Sequence, residues 1–155
     1  MNSALITPAD SGLRARWNRL AAALARAVTE PALLLATRIA LAAIFWQSGR
    51  TKVVGWLTVS DNAVALFADE YRLPLLSPEL GAHLAAYAEH LFPLLLVLGL
   101  ATRASALALL GMTAVIQIFV YPAAWPTHLS WAALMLLLVQ RGGGAWSVDR
   151  RLGLS

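Results

Sequence analysis

Hydrophobic residues fall into four long runs along this chain, at about Pro31–Val54, Ala82–Leu100, Ala104–Tyr121 and Trp125–Gln140. A helix that crosses the hydrocarbon core of a bilayer needs about 20 residues, within a range of about 17–25. The first three runs meet that length. The fourth is short, a mismatch that tilt or local thinning of the bilayer absorbs. Ahead of the first run, Leu13, Trp17, Leu20, Leu24 and Val28 recur at spacings of three and four, which predicts a helix over Leu13–Val28 with one apolar face. Arg14, Arg16, Arg19 and Arg26 lie largely off that stripe. A basic amphipathic helix directly before an apolar span is expected to lie on an anionic membrane surface; the alternative is an ordinary exposed helix packed on another element. Between the first two runs, "SDNAVALFADEY" opens on Ser60 and Asp61, both suited to cap a helix N-terminus. Val64, Phe67 and Tyr71 then form a short stripe, predicting a half-buried helix on the outer face of the bundle. Pro74 and Pro78 end it and steer the chain into the second run.

The pattern therefore predicts an all-α integral membrane protein. Its core is a four-transmembrane-helix bundle, with an N-terminal amphipathic interfacial helix and a short outer-loop helix. Residues 1–30 are read as a tail (Met1–Ser11, disordered) followed by the basic helix, 31–140 as the membrane domain and 141–155 as a cytoplasmic C-terminal tail. Composition agrees: 59% of the 155 residues are hydrophobic and 13% are charged, where a soluble domain is about a quarter charged. The first strongly apolar run is interrupted by Arg38, unlike the apolar core of a cleaved signal peptide, so the first span is expected to be retained.

Charge placement changes the picture in two ways. The net charge of +4 raises the question of nucleic acid, but the arginines cluster at segment ends and form no single soluble basic face, so no nucleic-acid partner is expected. Arginines precede span one, Arg103 lies between spans two and three, and Arg141, Arg150 and Arg151 follow span four. The loop after span one is mostly acidic (Asp61, Asp69, Glu70 and Glu79 against Arg72). This distribution predicts both termini in the cytoplasm. Arg50 and Lys52, at the outer end of span one, break the rule and call for a local reason. Trp56, Trp125 and Trp146 fall near span boundaries, where indoles anchor at the interface.

Candidate chemistry lies inside the spans. Arg38, Ala42, Phe45, Gly49 and Lys52 share one face of span one, and its small residues admit a neighbouring helix. Glu89 is the one acid well inside any span, and intramembrane charges mark function or a buried ion pair. At about 1.5 Å per residue, Arg38 and Glu89 differ in depth by about 6 Å, and Lys52 lies about 10 Å outward of Glu89. An Arg38–Glu89 pair is the first expectation and Lys52–Glu89 its rival. Pro93 removes the helical donor for the Glu89 carbonyl, opening either a ligand site at a kink or a kink satisfied locally. Supporting polar residues are Gln47, Ser48, His90, Gln117 and His128. The two glutamines are expected to form interhelical hydrogen bonds. His83 and His128 are expected to be solvated at the outer interface. His90 points about 100° away from Glu89 around the helix. No HxxxH pair or histidine-rich tract occurs, no metal ligand set is assigned, and a bis-histidine haem would require His90 and His128 to converge. The absence of cysteine excludes disulfides, thiol redox chemistry and cysteine-ligated iron–sulfur clusters.

Several elements together resemble the DoxX family of small bacterial membrane proteins. These are the early arginine in "ATRIALAAIF", the "SGRTK" of Ser48–Lys52, the loop "FADEYRLPLLSPELGAHLAAYAE" leading to Glu89, and the turn in "LLVLGLATRASALAL", in order over roughly Pro31–Gln140. The resemblance implies a four-helix bundle in a bacterial inner membrane and places the family's recurring polar positions at Arg38, Lys52 and Glu89. It further implies a membrane subunit or partner of a redox or stress-response system, quinone-linked or tied to metal stress. No independent catalytic motif accompanies it. A quinone is the one cofactor expected, with none intrinsic to the chain. A protein partner in a membrane complex and a homo-oligomer are both expected. Two other readings stay open: a non-catalytic scaffold or assembly factor, and a small oligomeric exporter.

Overall fold

The computed structural model describes residues 12–154; the tail read over Met1–Ser11 lies outside them. Helix α1 spans Gly12–Ala27 and buries none of its residues. Leu13, Trp17, Leu20 and Leu24 all stay exposed along its apolar face. Two residues later α2 begins, running from Glu30 to Arg50. A two-strand hairpin follows, β1 (Val53–Val54) pairing antiparallel with β2 (Thr58–Val59). Helix α3 (Asp61–Leu66) continues through a wider π-helical turn, Phe67–Tyr71. Helix α4 spans Pro78–Leu98 and α5 spans Thr102–Val115, the latter extended by a second π-helical turn at Ile116–Val120. A 3-10 turn at Pro122–Ala124 leads into α6 (Trp125–Arg141), and the short α7 covers Val148–Arg151.

Among the described residues four helical segments are long and apolar enough to cross a membrane: Glu30–Arg50, Pro78–Leu98, Thr102–Val120 and Pro122–Arg141. Each differs from the run read in the sequence by a few residues at its ends. The hydrophobic stretch and the hydrogen-bonded helix need not stop together, and Ser77 caps α4 several residues before the apolar run starts. The four form a bundle in which α2 packs mainly on α4 and α5 on α6, with α4–α5 and α2–α6 contacts closing it. Its core is Leu34, Leu41, Phe45, Leu96, Leu109, Met135 and Leu138. Many large apolar side chains on the outer faces, Ile39, Leu91, Leu94, Ile118, Phe119 and Leu136 among them, remain exposed. In water those faces would aggregate; in a bilayer they meet lipid. The chain is an all-α, multi-pass membrane protein.

The outer-loop helix covers its sequence stripe, α3 and the π-helical turn together running from Asp61 to Tyr71, and it packs as expected. Ser60 caps α3, its hydroxyl accepting from the Ala63 amide at 3.2 Å. Phe67 is buried against α4, where Gly81 makes room: a Cβ there would lie 2.7 Å from the Phe67 ring. This small second core of Ala63, Phe67 and Ala82 seats α3 on the end of the bundle where the long loop lies, hereafter the loop end. The opposite end, where α1 and α7 lie, is the terminal end.

Candidate functional site

The spacing of one helix face in α2 translates directly into burial, for Arg38, Ala42, Phe45, Gly49 and Lys52 are all buried. The two cations on that face nonetheless end in different places. Arg38 does not reach Glu89. Its guanidinium turns toward the terminal end and donates to four backbone carbonyls: Nε to Leu96 O at 2.7 Å, Nη2 to Val97 O at 2.7 Å, and Nη1 to Gly143 O and Trp146 O at 2.8 and 2.9 Å. Leu96 and Val97 belong to the last turn of α4; the Leu96 carbonyl also accepts from the Gly99 amide at 3.1 Å, so the arginine adds a second donor there, supplies the donor for Val97 O, and places a positive charge at the negative end of the helix. The first expectation for the ion pair is thus corrected. The nearer and more numerous acceptors for Arg38 are the carbonyls at the end of α4 and in the Gly143–Trp146 turn, which depth along the helices does not reveal.

The C-terminal segment completes this knot. Asp149 accepts from the amides of Ala101 and Thr102 at 2.7 and 2.8 Å, capping α5, and its own amide donates to Gly99 O. Its charge also acts on Arg38. Gly99 sits at φ +68°, and a Cβ there would lie 2.8 Å from the Arg38 guanidinium carbon. Glycine is required at this turn for both its backbone and its lack of a side chain. The segment read as a tail is therefore partly structural: Ser147 and Asp149 are buried beneath the bundle end.

Glu89 pairs with Lys52 instead. Lys52 Nζ lies 2.7 Å from Glu89 Oε2, with both side chains almost completely buried. Ser48 joins them, its hydroxyl donating to Glu89 Oε1 at 3.1 Å and accepting from Lys52 Nζ at 3.1 Å. The ammonium's third proton goes to Ser48 O at 3.3 Å. Here is the local reason for Lys52 at the loop end of span one. Arg50 has a different one, donating to Gly55 O and Trp56 O and so holding the hairpin. Close packing of α2 on α4 makes the bridge: at Gly49 a Cβ would lie 3.0 Å from Glu89 Cβ and 2.9 Å from His90 Cε1. Pro93 is buried within α4, which runs unbroken through it.

The bridge borders a cavity of about 420 Å³ at the loop end. Its walls are mostly apolar, with Phe45, Phe92, Met112 and Trp131 among them. Ser48, Lys52 and Glu89 form its polar side. The two π-helical turns border it, contributing Phe67 and Tyr71 from one and Ile116 and Val120 from the other. Tyr121, next to the second turn, donates to Glu70 beside Tyr71 at 2.5 Å and packs edge-on against the Tyr71 ring. The outer loop is thereby tied across to α5. Burial and the Glu70 carboxylate sit behind one electrostatic consequence outside the spans: accepting from the Tyr121 hydroxyl, that carboxylate pushes the phenol above its ordinary range.

The supporting residues divide. His90 is buried, its Nδ1 on Ala86 O at 2.7 Å and its ring edge-on to Trp46, away from the cavity that Glu89 borders. His128, expected to be solvated, is instead buried and lines the cavity. The reason is Gln117, whose Oε1 lies 2.7 Å from His128 Nδ1 and which draws α6 against α5. Gln117 thus makes the interhelical bond expected of it, while Gln47 is exposed and does not. His83 is half-buried near the start of α4, on the Glu79 carbonyl. Among the described residues no group of three or more His, Cys, Asp or Glu is placed to hold a metal ion. Sequence reasoning missed the cavity's aromatic wall and Asp149. The signal for Asp149 was a lone acid two positions after Ser147 and five after the triple glycine Gly142–Gly144.

No curated protein and no solved structure matches the chain. The DoxX family model matches residues 33–122. That covers α2, the outer loop, α4 and α5 with both partners of the Lys52–Glu89 bridge, and stops short of α6, which the sequence resemblance had included. The match takes in more than half of the chain, and the chain belongs to the DoxX family.

Proposed function

We propose that this chain is a membrane subunit of a redox or stress-response system, and that its own contribution is the loop-end cavity as a site for a lipophilic, quinone-type molecule. The observation that carries this reading is an apolar cavity with one buried Lys–Glu bridge on its wall. Ligand sites are typically apolar pockets of about 300–1,000 Å³ with a few convergent polar groups. A cavity within the depth of the spans is reached from the bilayer, where such molecules dissolve. Apolar walls would hold the ring and tail, and Glu89, Ser48 and Lys52 would meet the ring oxygens. The carrier of electrons belongs, in this reading, to a partner protein. The terminal end is assigned to the cytoplasm of a bacterial inner membrane, supported by Arg14, Arg16, Arg19, Arg26, Arg103, Arg141, Arg150 and Arg151 around it.

The test is binding of a decyl-substituted benzoquinone, in oxidised and reduced form, to the full chain in lipid nanodiscs. Uptake of at least one form is expected, weakened about tenfold in Glu89→Gln, the loss of roughly one good hydrogen bond. If neither form binds, or if Glu89→Gln and Lys52→Met leave binding and quinone-dependent activity of the native membranes intact, the bridge is a structural pair and the scaffold reading takes over.

A further inference from the structure

The hydrogen-bond directions around the cavity say which kind of ligand it accepts. Pro122 sets the directions, because its carbonyl can only accept. Gln117 lies 2.8 Å from it, so the end of the side chain facing Pro122 is the NH₂ group. The other end is then the carbonyl oxygen, and it faces His128 Nδ1 at 2.7 Å. Two acceptors cannot share that bond, so Nδ1 carries the proton. In the neutral imidazole the remaining nitrogen, Nε2, is a bare lone pair. Gln117 lines a groove between α5 and α6 but not the main cavity, whereas His128 lines both. His128 is a wall residue of the main cavity, and in this scheme the ring edge opposite Gln117, with Nε2, is the one it offers to a ligand there. Nε2 has no partner there and, unlike His90 Nε2, is not sealed inside the protein.

The polar side of the same cavity has the same bias. All three protons of the Lys52 ammonium are committed, to Glu89, to the Ser48 hydroxyl and to the Ser48 carbonyl. The Ser48 proton is committed to Glu89 Oε1, and the Tyr121 proton to Glu70. Glu89 has accepted one bond at each oxygen and, as a carboxylate, has lone pairs to spare. Tyr71 and Trp131 add one hydroxyl and one indole N–H to the wall. The uncommitted capacity at Glu89 and His128 is thus for accepting hydrogen bonds.

We infer that the cavity selects a lipophilic ligand bearing hydroxyl donors, a hydroquinone or phenol in preference to the corresponding carbonyl or ether, with His128 Nε2 accepting one ligand hydroxyl. This deepens the cavity reading above and rests on it. Gln117 is a positioning residue in this scheme, fixing the histidine tautomer without touching the ligand.

The experiment uses the full chain in nanodiscs under reducing conditions, with decyl hydroquinone and its dimethyl ether as matched probes that differ only in the donors. Wild type is expected to bind the hydroquinone at least about tenfold more tightly than the ether, one hydrogen bond's worth of discrimination. His128→Phe should bring the ratio down severalfold while the ether binds as before. Gln117→Leu, which retains the histidine, should lower the ratio by a smaller factor, and the ¹⁵N imidazole spectrum should show His128 losing its single Nδ1–H tautomer. Equal binding of the two probes by wild type overturns the inference and leaves the cavity reading standing, as does an unchanged preference in both variants. Failure of wild type to bind either probe overturns both.

Discussion

Arg38 and Lys52 lie on the same face of the same helix, yet the protein treats the two charges in opposite ways. Arg38 is enclosed: four carbonyls from two chain segments, the end of α4 and the Gly143–Trp146 turn, surround its guanidinium, and Gly99 brings the backbone in close. Four of its five N–H groups are used in this way and the residue is 1% exposed, which leaves no path for a ligand to reach it. Lys52 is paired with one flexible carboxylate at the edge of a cavity, where Glu89 keeps unused lone pairs. Arginine suits the first task, because its rigid fork of donors matches several fixed acceptors at once. Lysine suits the second, as a compact charge on a flexible stem beside a group that can respond to a guest. Burial of a charge within a membrane helix therefore does not by itself mark function. What separates the two sites is whether the charge is enclosed and satisfied by backbone.

The largest effect that would test this contrast is at Arg38. Arg38→Leu strands the carbonyls of Val97, Gly143 and Trp146 without the arginine's donors and takes one of two donors from Leu96 O, which keeps the Gly99 amide. Unpartnered buried groups cost about 1–3 kcal/mol each, and partial rearrangement leaves an expected loss of about 3–5 kcal/mol. Thermal unfolding in detergent should show it, and ligand binding by the surviving folded fraction should be unchanged. Arg38→Lys should recover little, since one ammonium cannot span the acceptors of α4 and those of the Gly143–Trp146 turn. If Arg38→Leu were as stable as wild type but lost binding, the assignment of structure to one site and function to the other would be reversed.

At the bridge the effect on stability is smaller and depends on which partner is removed. Glu89→Leu leaves the Lys52 ammonium buried and unpaired, with an expected cost of about 3 kcal/mol. Replacing both, Lys52→Met with Glu89→Leu, should bring stability back to within about 1 kcal/mol of wild type while lowering, through the loss of the Glu89 acceptor, the selectivity for hydroxyl-bearing ligands that His128 still supplies in part. A double variant as unstable as Glu89→Leu alone would show that the bridge holds α2 to α4, as a scaffold requires.

The sequence made the bundle legible because periodicity and span length act over many residues at once, and errors at single positions average out. The faces of α2 and α3 followed from that, down to the burial of Gly49 and Phe67. Pairing of the charges did not follow. Helical rise gives depth but not the presence of competing acceptors, and the carbonyls at the end of α4 belong to the backbone, which carries no mark in the sequence. His128 was misplaced for a related reason: a histidine early in a span looks solvated until Gln117, eleven positions before it, is seen to reach it across the α5–α6 turn.

Gly49 offers a sharper, intermediate test of how the bridge is built. Its missing side chain lets Glu89 and His90 lie directly on α2. Gly49→Ala should push the two helices apart and cost about 1–2 kcal/mol by overpacking. Because Ser48 and Lys52 reach Glu89 from the same helix, it should also weaken ligand binding, whereas Gly111→Ala, on an exposed face of α5 with open space around it, should leave both unchanged. Binding retained in Gly49→Ala would mean the bridge tolerates a change in helix spacing that its short hydrogen bonds argue against.

The smallest expected effect is at the rim, and it is read through pH. The Glu70 carboxylate holds the Tyr121 phenol above its ordinary range in the folded protein. An unfolded tyrosine loses its proton near about pH 10. The folded state binds the proton more tightly, so the stabilisation is fully present below that value and is lost as pH rises toward the higher folded value. Tyr121 is substantially exposed, which keeps the amplitude small. Wild type should therefore lose a little stability above about pH 10 that Tyr121→Phe does not lose, in unfolding curves compared at matched pH. The same bond ties the outer loop to α5 at the edge of the cavity, so Tyr121→Phe should also speed ligand release severalfold at neutral pH without altering the hydroquinone-to-ether ratio. A change in that ratio would place Tyr121 in contact with the ligand and move the selective end of the cavity from His128 to the rim.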